Sequence, residues 1–179
     1  MPSPLLIQDT CVLINLLASG RFAEIAHNIG YKLVVSRATV AEAMFLHDPE
    51  TNEKETIVLQ QHVDSGSLEI LSPDNDEELR LYVAYATELD DGEAMALALA
   101  ESRALSLATD DRKARSLIAR EKIGIAVLST VDILKAWQKE AGIPKSEMKI
   151  ALTRITQRAR FFLKPNHPDR IWWDSFFKT

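Results

Sequence analysis

The chain has 179 residues, 46% of them hydrophobic and 26% charged, and a net charge of −5. That composition suits one folded domain with a sizeable core, contains no run near the roughly 18 apolar residues of a membrane span, and with Cys11 as its single cysteine excludes an internal disulfide or a thiolate metal cluster. The opening Met1-Pro2-Ser3-Pro4 lacks the basic start and apolar centre of a secretory signal, so a cytoplasmic location is expected. The charge is uneven. Residues 135–179 hold ten Lys and Arg against four Asp and Glu, a net of +6, which leaves −11 on the rest. An acidic body with a basic tail can engage phosphates through the tail, although a solvated helical surface has the same composition.

In chain order, Leu5 to Ile7 read as a buried strand, and Val12, Leu13, Leu16 and Leu17 fall on one helix face directly after it. Asp9 sits where strand passes to helix, a place where Asp commonly serves as an N-cap. Cys11, on that helix, reads as a small buried hydrophobe. Gly20 and Gly30 bracket a second short helix, Lys32 to Val35 form a second strand, and Ser36 caps a helix expected over Arg37 to His47, with Glu42 in its second turn. Residues 51–64 are expected to be helical, with Ile57, Val58 and Val63 facing inward. Leu68 to Leu71 make a third strand, and a helix follows Ser72-Pro73-Asp74. The next helix opens at Leu89-Asp90-Asp91-Gly92-Glu93, with Asp90 or Asp91 as its cap, and is alanine-rich on nearly every face.

Leu105 to Ala108 form a fourth strand ending in Thr109-Asp110-Asp111, and Ile125 to Leu128 a short fifth. Helices are expected over Arg112–Lys122, from Ser129 to Ala141, and from about Lys145 to Leu163, before an aromatic end containing Trp172, Trp173, Phe176 and Phe177. Strands alternating with helices predict a three-layer α/β/α fold around a central, mainly parallel twisted sheet of four to five strands. The expected organisation is a domain over residues 1–142 with a helical extension, 143–179, packed on it.

If that sheet is parallel, Asp9, Glu42, Glu93, Asp110 and Asp111 all rise on one edge. Each alone is an ordinary residue for the start of a helix, favoured by the macrodipole. Together they repel: two like charges about 4 Å apart oppose each other by roughly 4 kcal/mol at an effective dielectric near 20. Protons or hard divalent cations such as Mg²⁺ or Mn²⁺, with their preference for oxygen ligands, relieve that repulsion. Cations so placed suit hydrolysis of a phosphodiester. Other chemistries are poorly served, since the six glycines form neither a dinucleotide fingerprint nor a phosphate loop, and the four histidines show no paired metal spacing.

The chain resembles PIN-domain nucleases, the family that includes the VapC-like toxins of toxin–antitoxin modules. The matching motifs are Asp9-Thr10-Cys11-Val12-Leu13-Ile14, Ala41-Glu42, Gly92-Glu93-Ala94-Met95-Ala96-Leu97-Ala98 and Thr109-Asp110-Asp111-Arg112-Lys113-Ala114-Arg115, in order over residues 5–128. Thr130-Val131-Asp132-Ile133-Leu134 and Arg160-Phe161-Phe162-Leu163 resemble a subgroup with a helical C-terminal extension. The resemblance implies a metal-dependent endoribonuclease, the toxin of a toxin–antitoxin pair, cutting RNA with one or two Mg²⁺ or Mn²⁺ ions. Its acidic site would comprise Asp9, Glu42, Glu93 and one of Asp110 and Asp111, with metal held by Asp9, Glu93 and either of that last pair.

Thr10, Asp91 and Thr109 would support those ligands. Arg112 and Arg115 would contact phosphate, or serve simply as solvated helix residues. A homodimer and a small antitoxin partner are also implied. The competing reading is a catalytically inactive PIN-fold module that binds nucleic acid or protein. A phosphatase with Asp9 as nucleophile is disfavoured because Cys11 stands where the second Asp of an Asp-x-Asp pair belongs. The Trp172–Phe177 cluster either stacks bases or packs on the domain.

Overall fold

A computed structural model describes residues 3–42 and 44–178. The elements are β1 (Leu5–Gln8), α1 (Thr10–Ala18), α2 (Phe22–Asn28), β2 (Lys32–Ser36), α3 (Arg37–Ala41), β3 (Phe45–His47), β4 (Lys54–Thr56), α4 (Gln60–Asp64) and β5 (Glu69–Leu71). They continue with α5 (Asp76–Tyr85), α6 (Asp91–Ser102), β6 (Ser106–Ala108), α7 (Arg112–Glu121), β7 (Val127–Leu128), α8 (Thr130–Glu140), α9 (Lys145–Arg154) and α10 (Arg170–Asp174). Five strands form one sheet in the order β5-β2-β1-β6-β7, every pair parallel. Helices cover both faces, giving the α/β/α sandwich expected from the alternation of strands and helices.

A strand buried on both sides sends successive side chains to opposite cores. Ile7, in register with Val34 and Leu107, joins the core under α5, α6 and α7. Leu6, Leu33, Val35 and Ala108 join the other, with α1, α2, α8 and α9. The small side chains of α6 explain its place: Ala94, Ala96, Ala98 and Ala100 are fully buried, so this helix lies between the sheet and α5.

Strand order also locates a crevice. From β1 the chain winds first to β2 and β5 on one side, then returns to β6 and β7 on the other. The reversal lies between the neighbours β1 and β6, and in open α/β sheets ligands bind outside the carboxyl ends of the strands at such a point. Asp9 leaves β1 there, its amide donating to Ala108 O at 3.0 Å.

Three stretches depart from the helices expected of them. The helix expected over Arg37–His47 ends at Ala41, and Phe45–His47 pairs antiparallel with Lys54–Thr56 in a separate hairpin. The turn between them is set by Asp48, whose Oδ1 accepts the amides of Glu50 at 2.9 Å and Thr51 at 2.7 Å, and by Asn52 at φ 61°. The hairpin and the loop after it take the place of residues 51–59 of the helix expected over 51–64, leaving α4 at Gln60–Asp64, and Val58 is exposed rather than inward. The helix expected to reach Leu163 turns π-helical over Ile155–Ala159 and stops at Arg160, in the left-handed region at φ 55°. Tertiary contacts account for the stop. Arg158 pairs with Glu55, and Arg160 Nη2 donates to Asn52 Oδ1 at 2.6 Å, so the hairpin holds the end of the helix.

Cys11 is exposed, contrary to its expected burial. In the aromatic end, Trp173 and Phe176 are buried in the larger core, and Trp172 packs edge-on against Phe176 at 5.0 Å.

Candidate metal centre

Asp9 follows β1 in extended conformation and caps α1, its Oδ1 accepting the Val12 amide at 2.7 Å. The other oxygen, Oδ2, is buried and has no hydrogen-bond partner. Burial pushes this carboxyl up to about 7, and the charges of Asp110 and Glu93 push the same way, against the Thr109 hydroxyl and the Val12 amide. Glu93, in the first turn of α6, is also pushed up to about 7, by desolvation first and then by Asp111, Asp90 and Glu42. These acids lie at the starts of α1, α6 and α7, the end of β6 and the C-terminal cap of α3.

The remaining acids are tied. Asp110 Oδ1 accepts the Thr130 amide at 3.0 Å, while Oδ2 accepts the Thr130 hydroxyl at 2.5 Å and Asn15 Nδ2 at 3.4 Å. Burial raises its pKa despite those bonds. Asp111 caps α7, with Oδ1 accepting the amides of Lys113 at 2.7 Å and Ala114 at 2.9 Å, which leaves Oδ2 outside the cap. Glu42 stands at the C-terminal cap of α3 in extended backbone rather than in a second helical turn. Its carboxylate is fixed between the Thr10 hydroxyl at 2.5 Å and the Gly92 amide at 2.9 Å.

Gly92 leaves room for that contact. A Cβ at this position would lie 2.2 Å from Glu42 Oε1 and 3.0 Å from Thr10 Oγ1. Ala is better than Gly within a helix by about 1 kcal/mol, so Gly92→Ala would stabilise α6 if Glu42 could move aside freely. The expected result is the reverse, a lower thermal midpoint by about 1–2 kcal/mol of stability from overpacking against a fixed carboxylate. A raised midpoint in a thermal melt would refute the fixed position of Glu42.

The other site candidates lie close by with different tasks. Thr109 is buried and accepts the Asp111 amide at 3.0 Å. Arg115 grips the end of β6, with Nε and Nη2 donating to Thr109 O at 2.9 and 2.7 Å. Arg112 is exposed and makes no side-chain bond among the described residues. Asp91 accepts the Tyr82 hydroxyl at 2.9 Å.

Among the described residues, no three acidic, His or Cys side chains converge closely enough to hold an ion where they stand. The chemistry of the donors nevertheless suits a hard cation. A buried carboxylate oxygen without a donor is costly to a neutral environment, and Asp9 Oδ2 is such an oxygen, with Glu93 and Asp111 having oxygens not committed to caps.

A family model described as a PIN domain matches residues 5–172. This chain belongs to the PIN-domain family. No curated protein and no solved structure matches it. PIN domains are generally nucleases, and those nucleases typically use divalent metals. The match crosses from the sheet into α10, so the PIN-domain family extends over the C-terminal helices of this chain as well.

Three residues that support this PIN-domain site are not assigned to it from the sequence, although Gly92 and Thr130 lie within the matching motifs. Asn15 and Thr130 hold Asp110, with Asn15 Nδ2 also donating to Thr130 Oγ1 at 3.1 Å, and Gly92 holds Glu42. Asn15 gives a further local signal, a polar residue amid the apolar run of α1; the partner that explains it lies 115 residues away.

Proposed function

We propose that this PIN-domain protein is an endoribonuclease dependent on Mg²⁺ or Mn²⁺, the toxin of a toxin–antitoxin pair. The observation that carries this reading is Asp9 Oδ2, buried and unpartnered among the charges of Asp110 and Glu93. Asp9, Glu93 and Asp111 are the residues that would hold the cation. Asp110 and Glu42, locked by Thr130 and by Thr10 with Gly92, add negative charge without needing to turn. When bound, a divalent ion supplies a water of lowered pKa and neutralises charge on the phosphodiester.

The chain's own part is to prepare that place. Burial and the neighbouring charges raise the carboxyls of Asp9 and Glu93 well above the ordinary range, so both hold their protons more tightly until a positive charge offsets that cost. Thr109, buried at the end of β6, accepts the Asp111 amide and so holds the start of α7 in place. Hydrolysis forms one P–O bond to water and breaks one ester P–O bond. Residues 1–142 then act as the nuclease domain and 143–179 as the extension packed on it. The toxin role, a small antitoxin partner and a homodimer rest on the resemblance to VapC-like proteins, since fold alone does not fix physiology.

The purified chain is expected to cut single-stranded RNA when Mn²⁺ or Mg²⁺ is added and to stop in chelator. Cutting that persists in chelator would overturn the mechanism. The second reading, a PIN-fold module without catalysis, is favoured by the absence of three converging ligands among the described residues. Calorimetric titration with Mn²⁺ separates the two: no heat, together with no cleavage, selects the binding module.

A further inference from the structure

The π-helical stretch and the left-handed stop at Arg160 have a consequence beyond the acidic site. They bring residues 160–164 beside Asp110 and Asp111 instead of sending them onward as helix. Two hollows result. One, of about 300 Å³, is lined by Cys11, Asn15, Asp111 and Arg160. The other, of about 490 Å³, is bounded by Arg112, Phe162 and Lys164. Both are lined by Asp110 and by Phe161, so they adjoin as a trough beside Asp110 and Asp111.

The walls of this trough are chemically sorted. Arg112 and Lys164 are exposed, and among the described residues neither has an ion-pair or side-chain hydrogen-bond partner. The carboxylates on the same side are already engaged: Asp132 in the capping box with Ser129, and Asp169 with Lys135. Phe162 is 66% exposed, a large aromatic ring left in water beside these cations. In the aromatic end of the chain Trp173 and Phe176 are buried in the core, and the exposed Phe177 does not line either hollow.

We propose that residues 160–164 form the substrate-binding wall of the trough, with Phe162 stacking on a base of single-stranded RNA and Lys164 and Arg112 contacting its phosphates. This assignment rests on the nuclease reading above. An aromatic face flanked by cations is the arrangement that holds single strands without regard to sequence, and a base already paired in a duplex cannot reach such a ring.

The test uses the full chain carrying Asp9→Asn, so that RNA is bound without being cut, and a fluorescein-labelled single-stranded RNA read by anisotropy. Phe162→Ala is expected to weaken binding about tenfold, and Phe162→Trp to restore it. Lys164→Ala is expected to lower the slope of log affinity against log salt by about 0.7, the loss of one phosphate contact. Ile171→Ala, an exposed apolar residue outside the trough, should change nothing. Binding by Phe162→Ala equal to that of its parent would overturn the wall, as would an equal loss of affinity for duplex RNA. If the wild-type protein cuts RNA with Mn²⁺ while the Phe162 and Lys164 variants bind normally, the wall alone is wrong. If wild type neither cuts RNA nor the Asp9→Asn chain binds it, the nuclease reading falls too.

Discussion

Asp9→Asn is expected to make the metal-free protein more stable and at the same time to abolish metal-dependent cleavage. Both effects come from one oxygen. Oδ2 is buried without a donor, and the carboxyl titrates at about 7 in the folded chain against 3.8 as its ordinary value. Below about pH 4 the group is protonated folded and unfolded, and contributes no penalty. Between about 4 and 7 the unfolded chain gives up the proton while the folded chain retains it, so stability falls as pH rises. Above 7 the full penalty is present, on the order of 4 kcal/mol at 1.36 kcal/mol per pH unit.

Asparagine removes that charge and keeps an oxygen for the Val12 amide. Chemical denaturation at pH 8 in chelator should therefore place the midpoint of the variant above that of wild type, with the gap closing towards pH 4. Adding Mn²⁺ should raise the wild-type midpoint, as binding to the native state must, and leave the variant where it was. Cleavage should fall a thousandfold or more, the equivalent of about 4 kcal/mol of lost charge stabilisation. A variant less stable than wild type at pH 8 would show that Asp9 is chiefly a helix cap, whose removal costs about 1 kcal/mol.

Arg103→Met is expected to destabilise the fold by about 3–5 kcal/mol, the largest single effect away from the acidic centre. Glu78, in the first turn of α5, is fully buried and is held from two sides. Arg103 Nε donates to Oε1 at 2.6 Å and Nη2 to Oε2 at 2.8 Å, while the Asp74 amide donates to Oε2 at 2.8 Å. Arg103 Nη2 also donates to Ser72 O at 2.8 Å, so one guanidinium ties the end of α6 to the chain entering α5. Removing it strands a buried charge, which is worse than never having built the pair.

The Arg103 guanidinium holds Glu78 down to about 2 from an ordinary 4.5. Its contribution is complete above about pH 4.5 and is lost as pH falls towards 2, because the unfolded chain takes up the proton first. The wild-type protein should lose more stability through that window than Arg103→Met does. Since Asp9 and Glu93 act in the opposite direction between about 4 and 7, the metal-free protein is expected to be most stable on the acid side of neutrality. A urea-unfolding series across pH 2–8 reads both limbs.

How much of this was legible beforehand differs between frame and detail. The five parallel strands are short apolar runs, Leu5–Ile7, Lys32–Val35, Leu68–Leu71, Leu105–Ala108 and Ile125–Leu128, each separated from the next by helical periodicity. That pattern is local, and it carries the fold class with it. So are the motifs around Asp9, Glu42, Glu93 and Thr109-Asp110-Asp111, which lead to the PIN-domain family before any coordinate is known.

The hairpin was not legible, because Phe45–His47 and Lys54–Thr56 are strands only through each other. Three residues cannot outweigh helix periodicity without a partner to take their hydrogen bonds. The early stop of the last long helix was hidden for the same reason, its cause being Glu55 and Asn52 more than a hundred residues earlier.

The division of labour among the acids is likewise a tertiary matter. In the sequence, Asp110 and Asp111 are adjacent and interchangeable as candidates. In the fold, Thr130 and Asn15 take both oxygens of Asp110, whereas the cap of α7 uses only one oxygen of Asp111. Residue identity and spacing alone determined that carboxylates would stand at the strand ends. Which of their oxygens remain free was decided by the donors that long-range packing brings beside them, and a donor 20 or 95 residues away leaves no periodic trace in the chain.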